Sequence, residues 1–149
     1  MLWGTPCTWG AEMVLGTWTP TLKNKGGTAT FSAVTSVTNY YTVGGFCYCF
    51  YSITFTVSAG TAGTLEVDGL PKAWLNNEGG LFGTCNPALT HLSGGLNYNL
   101  YQVGTSGTTT NNTTFEIWGA TTSLLSGKWT LAVSVTGDVL AGCVWFPYV

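Results

Sequence analysis

Two thiols and a row of rings stand together in GGFCYCFYSITFTV, residues 44–57, where Phe46, Cys47, Tyr48, Cys49, Phe50 and Tyr51 are consecutive. On an extended strand, Cys47 and Cys49 point to one face with Cα atoms roughly 6.5 to 7 Å apart. That separation lies at or past the upper edge for a disulfide, and two thiolates without further ligands make a poor zinc site. The five cysteines (Cys7, Cys47, Cys49, Cys85 and Cys143) are an odd number with scattered spacing and no CxxC pair. They read as free, reduced and mostly buried small hydrophobes, not as a reactive pair.

Other residues offer chemistry only in isolation. Glu66 and Asp68 share a strand face at a spacing open to a glycosidase carboxylate pair, but Asp68-Gly69 is a turn signal that explains the aspartate by itself. His91 has no nucleophile motif such as GxSxG beside it. Asn111 and Asn112 begin glycosylation sequons, but the start of the chain lacks a secretory signal that would expose them to glycosylation. The seven tryptophans raise a glycan-binding reading. In it, Trp74 and Trp118 are the exposed candidates, Trp129 faces inward, and Trp18 anchors the N-terminal segment. No catalytic residue, metal ligand or cofactor-binding residue is assigned.

Composition narrows the partners. The chain is 45% hydrophobic and 14% aromatic but only 7% charged, against roughly 25% charged residues in an average domain. There is no arginine, and the net charge is -2, so nothing forms the basic footprint that a nucleic-acid phosphate chain requires. No apolar run reaches the roughly 18 to 20 residues of a membrane-spanning helix. A surface so poor in charge does little to keep copies apart, and assembly into an oligomer is expected.

Extended elements must carry these residues. Thr, Val and aromatic residues favour strands, and a 3.6-residue apolar period is nearly absent. The expected strands are 28–37, 46–58, 63–70, 96–103, 113–119, 128–136 and 139–146. Turns are expected at Ser58-Ala59-Gly60, Asp68-Gly69, Ser106-Gly107, Ser126-Gly127 and Gly137-Asp138. Residues 71–95 read as a long loop with a short strand near 88–92, and 104–114 as an exposed hairpin tip. The fold class is all-β: an antiparallel β-sandwich of jelly-roll type with an extended N-terminal arm. The arm is residues 1–15 and the sandwich 16–149.

Alternation then divides the 46–57 strand. Cys47, Cys49, Tyr51, Ile53, Phe55 and Val57 face in, whereas Phe46, Tyr48 and Phe50 face out and must be covered. A neighbouring subunit is the expected cover, because aromatic residues are enriched at interface cores.

Several short motifs follow in order: Gly16-Thr17-Trp18-Thr19-Pro20, then Tyr40-Tyr41-Thr42 with Gly45, the aromatic strand, and Gly63 to Pro71 (GTLEVDGLP). This series resembles a C-terminal domain of bacteriophage tail fibres and related virion-surface proteins. It covers about 55 residues of the first half. The resemblance implies a homotrimeric β-sandwich on a phage particle, assembled in the host cytoplasm and without catalytic residues. Only about 15 residues precede the motifs, where a fibre would carry a shaft or anchor. A stand-alone capsid decoration (cement) protein bound to the major capsid protein or another virion protein is therefore expected. The alternative is a receptor-binding tip of a tail fibre or spike, holding a host surface glycan. Phe46, Tyr48, Phe50 and Trp18 are the expected subunit contacts. The leader, with Leu2, Trp3, Trp9 and Met13, either reaches the capsid or a neighbour, or folds back as an edge strand.

Overall fold

In the computed structural model, residues 13–74, 82–85, 100–105, 113–120, 126–128 and 133–148 are described; for 82–85, 100–105, 118–120 and 126–128 this covers the backbone alone. Ten strands and no helix occur among them: β1 (Val14–Gly16), β2 (Thr21–Lys25), β3 (Phe31–Val43), β4 (Phe46–Val57), β5 (Thr64–Asp68), β6 (Phe82–Cys85), β7 (Leu100–Thr105), β8 (Phe115–Ala120), β9 (Ser126–Lys128) and β10 (Val135–Pro147). All pairs are antiparallel. One sheet runs β1-β3-β4-β10-β6 and the other β7-β8-β5-β2, with β9 also beside β8; Thr84 opposite Gln102 is the register pair between β6 and β7 that joins them. The two pack as the β-sandwich that the strand-and-turn pattern predicts.

Two glycines set the longest feature. A two-residue hairpin loop needs a left-handed backbone at both positions, and Gly44 and Gly45 supply it with φ of 57° and 79°. Val43 then lies opposite Phe46, and the pairing continues to Phe31 opposite Val57. β10 pairs with the other edge of β4 from Pro147 opposite Phe46 to Val135 opposite Val57. Both neighbours of β4 carry one extra residue at adjacent levels: β3 between Ser32 and Thr35, and β10 between Val135 and Asp138. Ala33 and Gly137 take the positive φ at these bulges. An extra residue reverses the in–out parity of the strand beyond it. Phe31 packs inward edge-on to Phe55, but past the bulge Thr38 and Thr42 are buried and Tyr40 lies against the core, leaving Tyr41 outward.

The core lies between the sheets. β4 contributes Cys47, Cys49, Tyr51, Ile53, Phe55 and Val57, and β10 contributes Leu140, Val144 and Phe146. Leu22, Leu65, Val67, Phe115 and Ile117 come from the second sheet. The Tyr51 and Phe115 rings meet across the gap at 5.5 Å.

Four residues close one side of the sandwich. β1 and β2 are the end strands of the path, and Thr17–Pro20 carries the chain between them. Trp18 is buried on the way, and its carbonyl accepts a hydrogen bond from the Thr38 hydroxyl. Gly69 just after β5 has φ 91°, and a Cβ there would lie 2.5 Å from the Thr19 carbonyl oxygen.

Some elements differ from expectation. Gly137-Asp138 is a bulge inside β10 and not a turn, because β10 continues pairing with β4 on both sides of it. Ser126-Gly127 lies in β9, paired to Gly119 and Ala120 of β8. The 128–136 strand is interrupted: β9 ends at Lys128, and a bend at Val133-Ser134 precedes β10, with 129–132 outside the described residues. Within 71–95 the strand described is β6, and 88–92 lies outside the described residues. The expected boundary at 15/16 falls inside β1, which pairs with Thr42 to Tyr40 as an edge strand.

Substitution at Gly69 separates contact from conformation. Gly69→Ala is expected to cost about 2–4 kcal/mol, combining backbone strain with the clash on Thr19. Gly44→Ala, where nothing lies within 4 Å of the new Cβ, is expected to cost about 1 kcal/mol from φ alone. Thermal unfolding of the two variants measures the difference, and equal midpoints would show that the Thr19 contact contributes nothing.

Candidate functional site

The outer face of the first sheet is built by register. Outward positions are Leu15 of β1; Val37, Asn39, Tyr41 and Val43 of β3; Phe46, Tyr48, Phe50 and Ser52 of β4; and Ala141, Cys143, Trp145 and Pro147 of β10. Tyr41 stands opposite Tyr48, and Tyr48 opposite Trp145, so three aromatic residues form a row across the strands, with Leu15 at its β1 end. The next row toward the hairpin turn holds Val43, Phe46 and Pro147. None of these positions is charged. Phe46, Phe50, Val43, Val37 and Leu15 are exposed, the last two about 70%, and Tyr41, Tyr48 and Trp145 are half-buried.

Ring geometry limits what this face can hold. Tyr41 and Tyr48 are stacked at 4.7 Å and 11°, and Tyr41 and Phe50 lie 6.0 Å apart at 23°. Rings stacked on each other use their faces internally and present edges outward. A sugar needs a free ring face, whereas another protein layer can interdigitate with ring edges.

The thiols occupy the opposite side of the same strand. Cys47 and Cys49 are fully buried with Sγ atoms 3.6 Å apart. The hydrogen bond between them, and then burial, push the Cys49 thiol far above its ordinary range, while the same bond lowers Cys47. Burial pushes Cys143, on the outer face, up to about 11. Neither Cys47 nor Cys49 reaches the surface, so no substrate can meet them, and the pair acts as core.

Charge gathers on the outer face of the second sheet. Lys23 is opposite Glu66, and Lys25 opposite Thr64, yet both lysines reach diagonally. Lys23 pairs with Asp68 at 2.6 Å, and Lys25 with Glu66 at 2.9 Å. Glu66 faces Glu116 directly across β5 and β8, a like-charge pairing that is unfavourable alone. Lys25 also reaches Glu116 at 3.2 Å and holds the two acids together. Its own pKa is raised, first by the bond to Glu66. Burial pushes the Asp68 carboxyl up, but Lys23, the Gly69 N–H and the Thr113 and Thr114 hydroxyls outweigh it and bring it down to about 2. Glu66 and Asp68 are therefore engaged with separate lysines, and Glu116 is fully buried. The cluster fastens β2 to β5 and β8.

The expected site residues divide in three. Phe46, Tyr48 and Phe50 lie together on the outer face, and the exposed Met13 precedes β1 beside it. Trp18, expected at a subunit contact, is 6% exposed and belongs to the chain's own core, because the strap between the sheets draws it in. Trp74, expected to be an exposed glycan contact, is 3% exposed: it bridges to Tyr148, whose ring also lies under Lys72. Leu2, Trp3, Trp9 and the side chain of Trp118 lie outside the described residues. Tyr41, Leu15, Val37 and Trp145 were not anticipated. Counting back from the Gly44-Gly45 turn places Tyr41 opposite Tyr48 and would have found the first of them. Comparison with family models, curated proteins and solved structures found no match.

Two measurements test the charge cluster. Lys25→Met is expected to destabilise by about 2–4 kcal/mol, since it leaves Glu66 and Glu116 facing each other without their shared cation; partial exposure of Lys25 keeps the cost below that of a fully buried pair. Adding Glu116→Gln should recover part of the loss in urea unfolding, and simple additivity would deny the coupling. Asp68 holds its proton more weakly folded than unfolded. Its contribution is therefore complete above the unfolded pKa near 4 and disappears as pH falls toward 2. The stability gap between wild type and Asp68→Asn should narrow over that window; a constant gap would contradict it.

Proposed function

We propose that the chain is a non-enzymatic structural protein of a bacteriophage virion, a decoration (cement) protein that binds the capsid shell as a homotrimer and stabilises it. One observation carries the reading: the first motif of the resemblance, Gly16 to Pro20, meets Tyr40 of the second and Gly69 of the last at the strap between the sheets. Gly16 lies under the Tyr40 ring, where a Cβ would come within 2.5 Å. Trp18 and Pro20 are buried in the strap. Gly69 presses on the Thr19 carbonyl and Leu70 is buried, while Gly63 lies against the Lys25 carbonyl at the other end of β5. Residues that sequence order alone brought together thus serve one architectural task.

The mode of action follows from the two outer faces. The carboxylates that could have served hydrolysis are held by lysines, and the uncharged aromatic face is suited to non-covalent burial, at about 25 cal/mol per Å² of apolar area removed from water. The major capsid protein is the proposed shell partner.

A receptor-binding tip of a tail fibre is the second reading, favoured by the same motif series. Its glycan-binding form is weakened by the burial of Trp74 and the mutual stacking of Tyr41 and Tyr48. Copy number separates the two. Quantitative mass spectrometry of purified particles is expected to find hundreds of copies per virion. A handful would move the protein to the tail, and absence from particles would overturn both readings.

A further inference from the structure

We infer that the aromatic outer face of β3, β4 and β10 is the surface on which a second copy of this chain packs, sheet against sheet. This rests on the assembly part of the proposed function and specifies where the contact lies.

The first support is charge. The chain has four lysines and six acids, and Lys23, Lys25, Glu66, Asp68 and Glu116 gather on the opposite sheet. From Leu15 across to Trp145 and from Val43 down to Ser52, the first sheet's outer face carries none. A partner that placed lysine or glutamate here would bury it without a counter-ion, which a dry contact strongly disfavours. The same face of another copy brings no such group.

The second support is size and pattern. Four strands at about 4.8 Å spacing, and four rows about 7 Å apart, give a largely apolar face of roughly 300–400 Å². That matches the functional patch of a typical protein and about half of what each partner contributes to a stable interface. Asn39, Ser52, Thr54 and Thr35 continue the face as a polar, uncharged border. An apolar centre with such a rim is the anatomy of a protein–protein contact.

The third is ring orientation. Tyr41, Tyr48 and Phe50 stack on one another, so their edges project and interdigitate with a facing sheet at the roughly 10 Å separation of packed sheets.

The test is the mass of the full chain by size exclusion with light scattering between about 5 and 200 µM, a range that brackets a moderate association. The wild type is expected to exceed the 15.7 kDa of one copy, and Phe50→Lys to fall to that mass with association weakened about 100-fold or more. Val37→Lys, at a largely exposed position outside the core, gives the same readout should Phe50→Lys fail to fold. Thr21→Lys on the other sheet is expected to stay assembled. A wild type that assembles and is unaffected by either face variant overturns the face while leaving assembly standing. A wild type that remains monomeric overturns both, with the face covered by the chain's own leader among the explanations. A two-copy mass lost in Phe50→Lys upholds the face and overturns the threefold state.

Discussion

The burial of Trp18 fixes the relation between the two sheets. It sits midway along a four-residue strap whose ends are committed to opposite edges: Gly16 pairs with β3 in one sheet, and Thr21 with β5 in the other. From Gly16 to Thr21 is five residue steps, at most about 18 Å when fully extended, against the roughly 10 Å between packed sheets, so the strap has little room to wander. The Thr38 hydroxyl on the Trp18 carbonyl fastens it to the first sheet, and the close approach of Gly69 to Thr19 fastens it to the second. Other features inherit their position from this closure. β2 is held where Lys23 and Lys25 can reach β5 and β8, and β3 is held at the edge with its outer face turned away from the core.

β4 serves both sides of the first sheet, and the bulges on its neighbours allow it. Without the extra residue near Ala33, the in–out parity of β3 would place Tyr41 inward and Tyr40 outward, and the Tyr41–Tyr48 stack could not form. The bulge in β10 does the same for Trp145 relative to Phe146. The bulges lie at adjacent positions of β4, opposite Phe55 on the β3 side and Thr56 on the β10 side, so the two neighbouring strands shift together and the sheet bends without losing its register. Positive φ at Ala33, a residue with a Cβ, is a strained conformation. It persists because the pairing above and below it determines the path of the chain.

How much of this was legible in the sequence depends on the range of the interaction. The division of β4 into thiol-bearing and ring-bearing faces and the end of the strand at Asp68-Gly69 were readable, because each is set by residues within a few positions of one another. The hairpin at Gly44-Gly45 was not among the expected turns, and the expected strand 28–37 stops short of Val43. The bulge at Gly137 was taken for a turn. Glycine and aspartate signal both, and only continued pairing with β4, some 80 residues away in sequence, distinguishes them. The same limit explains Trp18 and Trp74. A tryptophan in a short irregular segment has no periodicity to assign its face, and each is buried by partners distant along the chain. Glu66 and Asp68 were visible as a pair of acids. Their separate lysines and the facing Glu116 were not, since that arrangement exists only once β2, β5 and β8 are side by side.

The segregation of charge has a consequence for folding as well as for assembly. A face without charge protects nothing from premature association, yet the edge strands that flank it are managed. β1 is only three residues long, and on β3 the bulge interrupts the stretch Ser32–Val37, which is exposed on both faces. Short or bulged edges discourage open-ended strand addition. Contact through the flat face is limited by the size of the aromatic patch and by its Thr, Ser and Asn border. The two features together favour closed association over fibres. They let a chain with few charges present a sticky surface without aggregating along its edges.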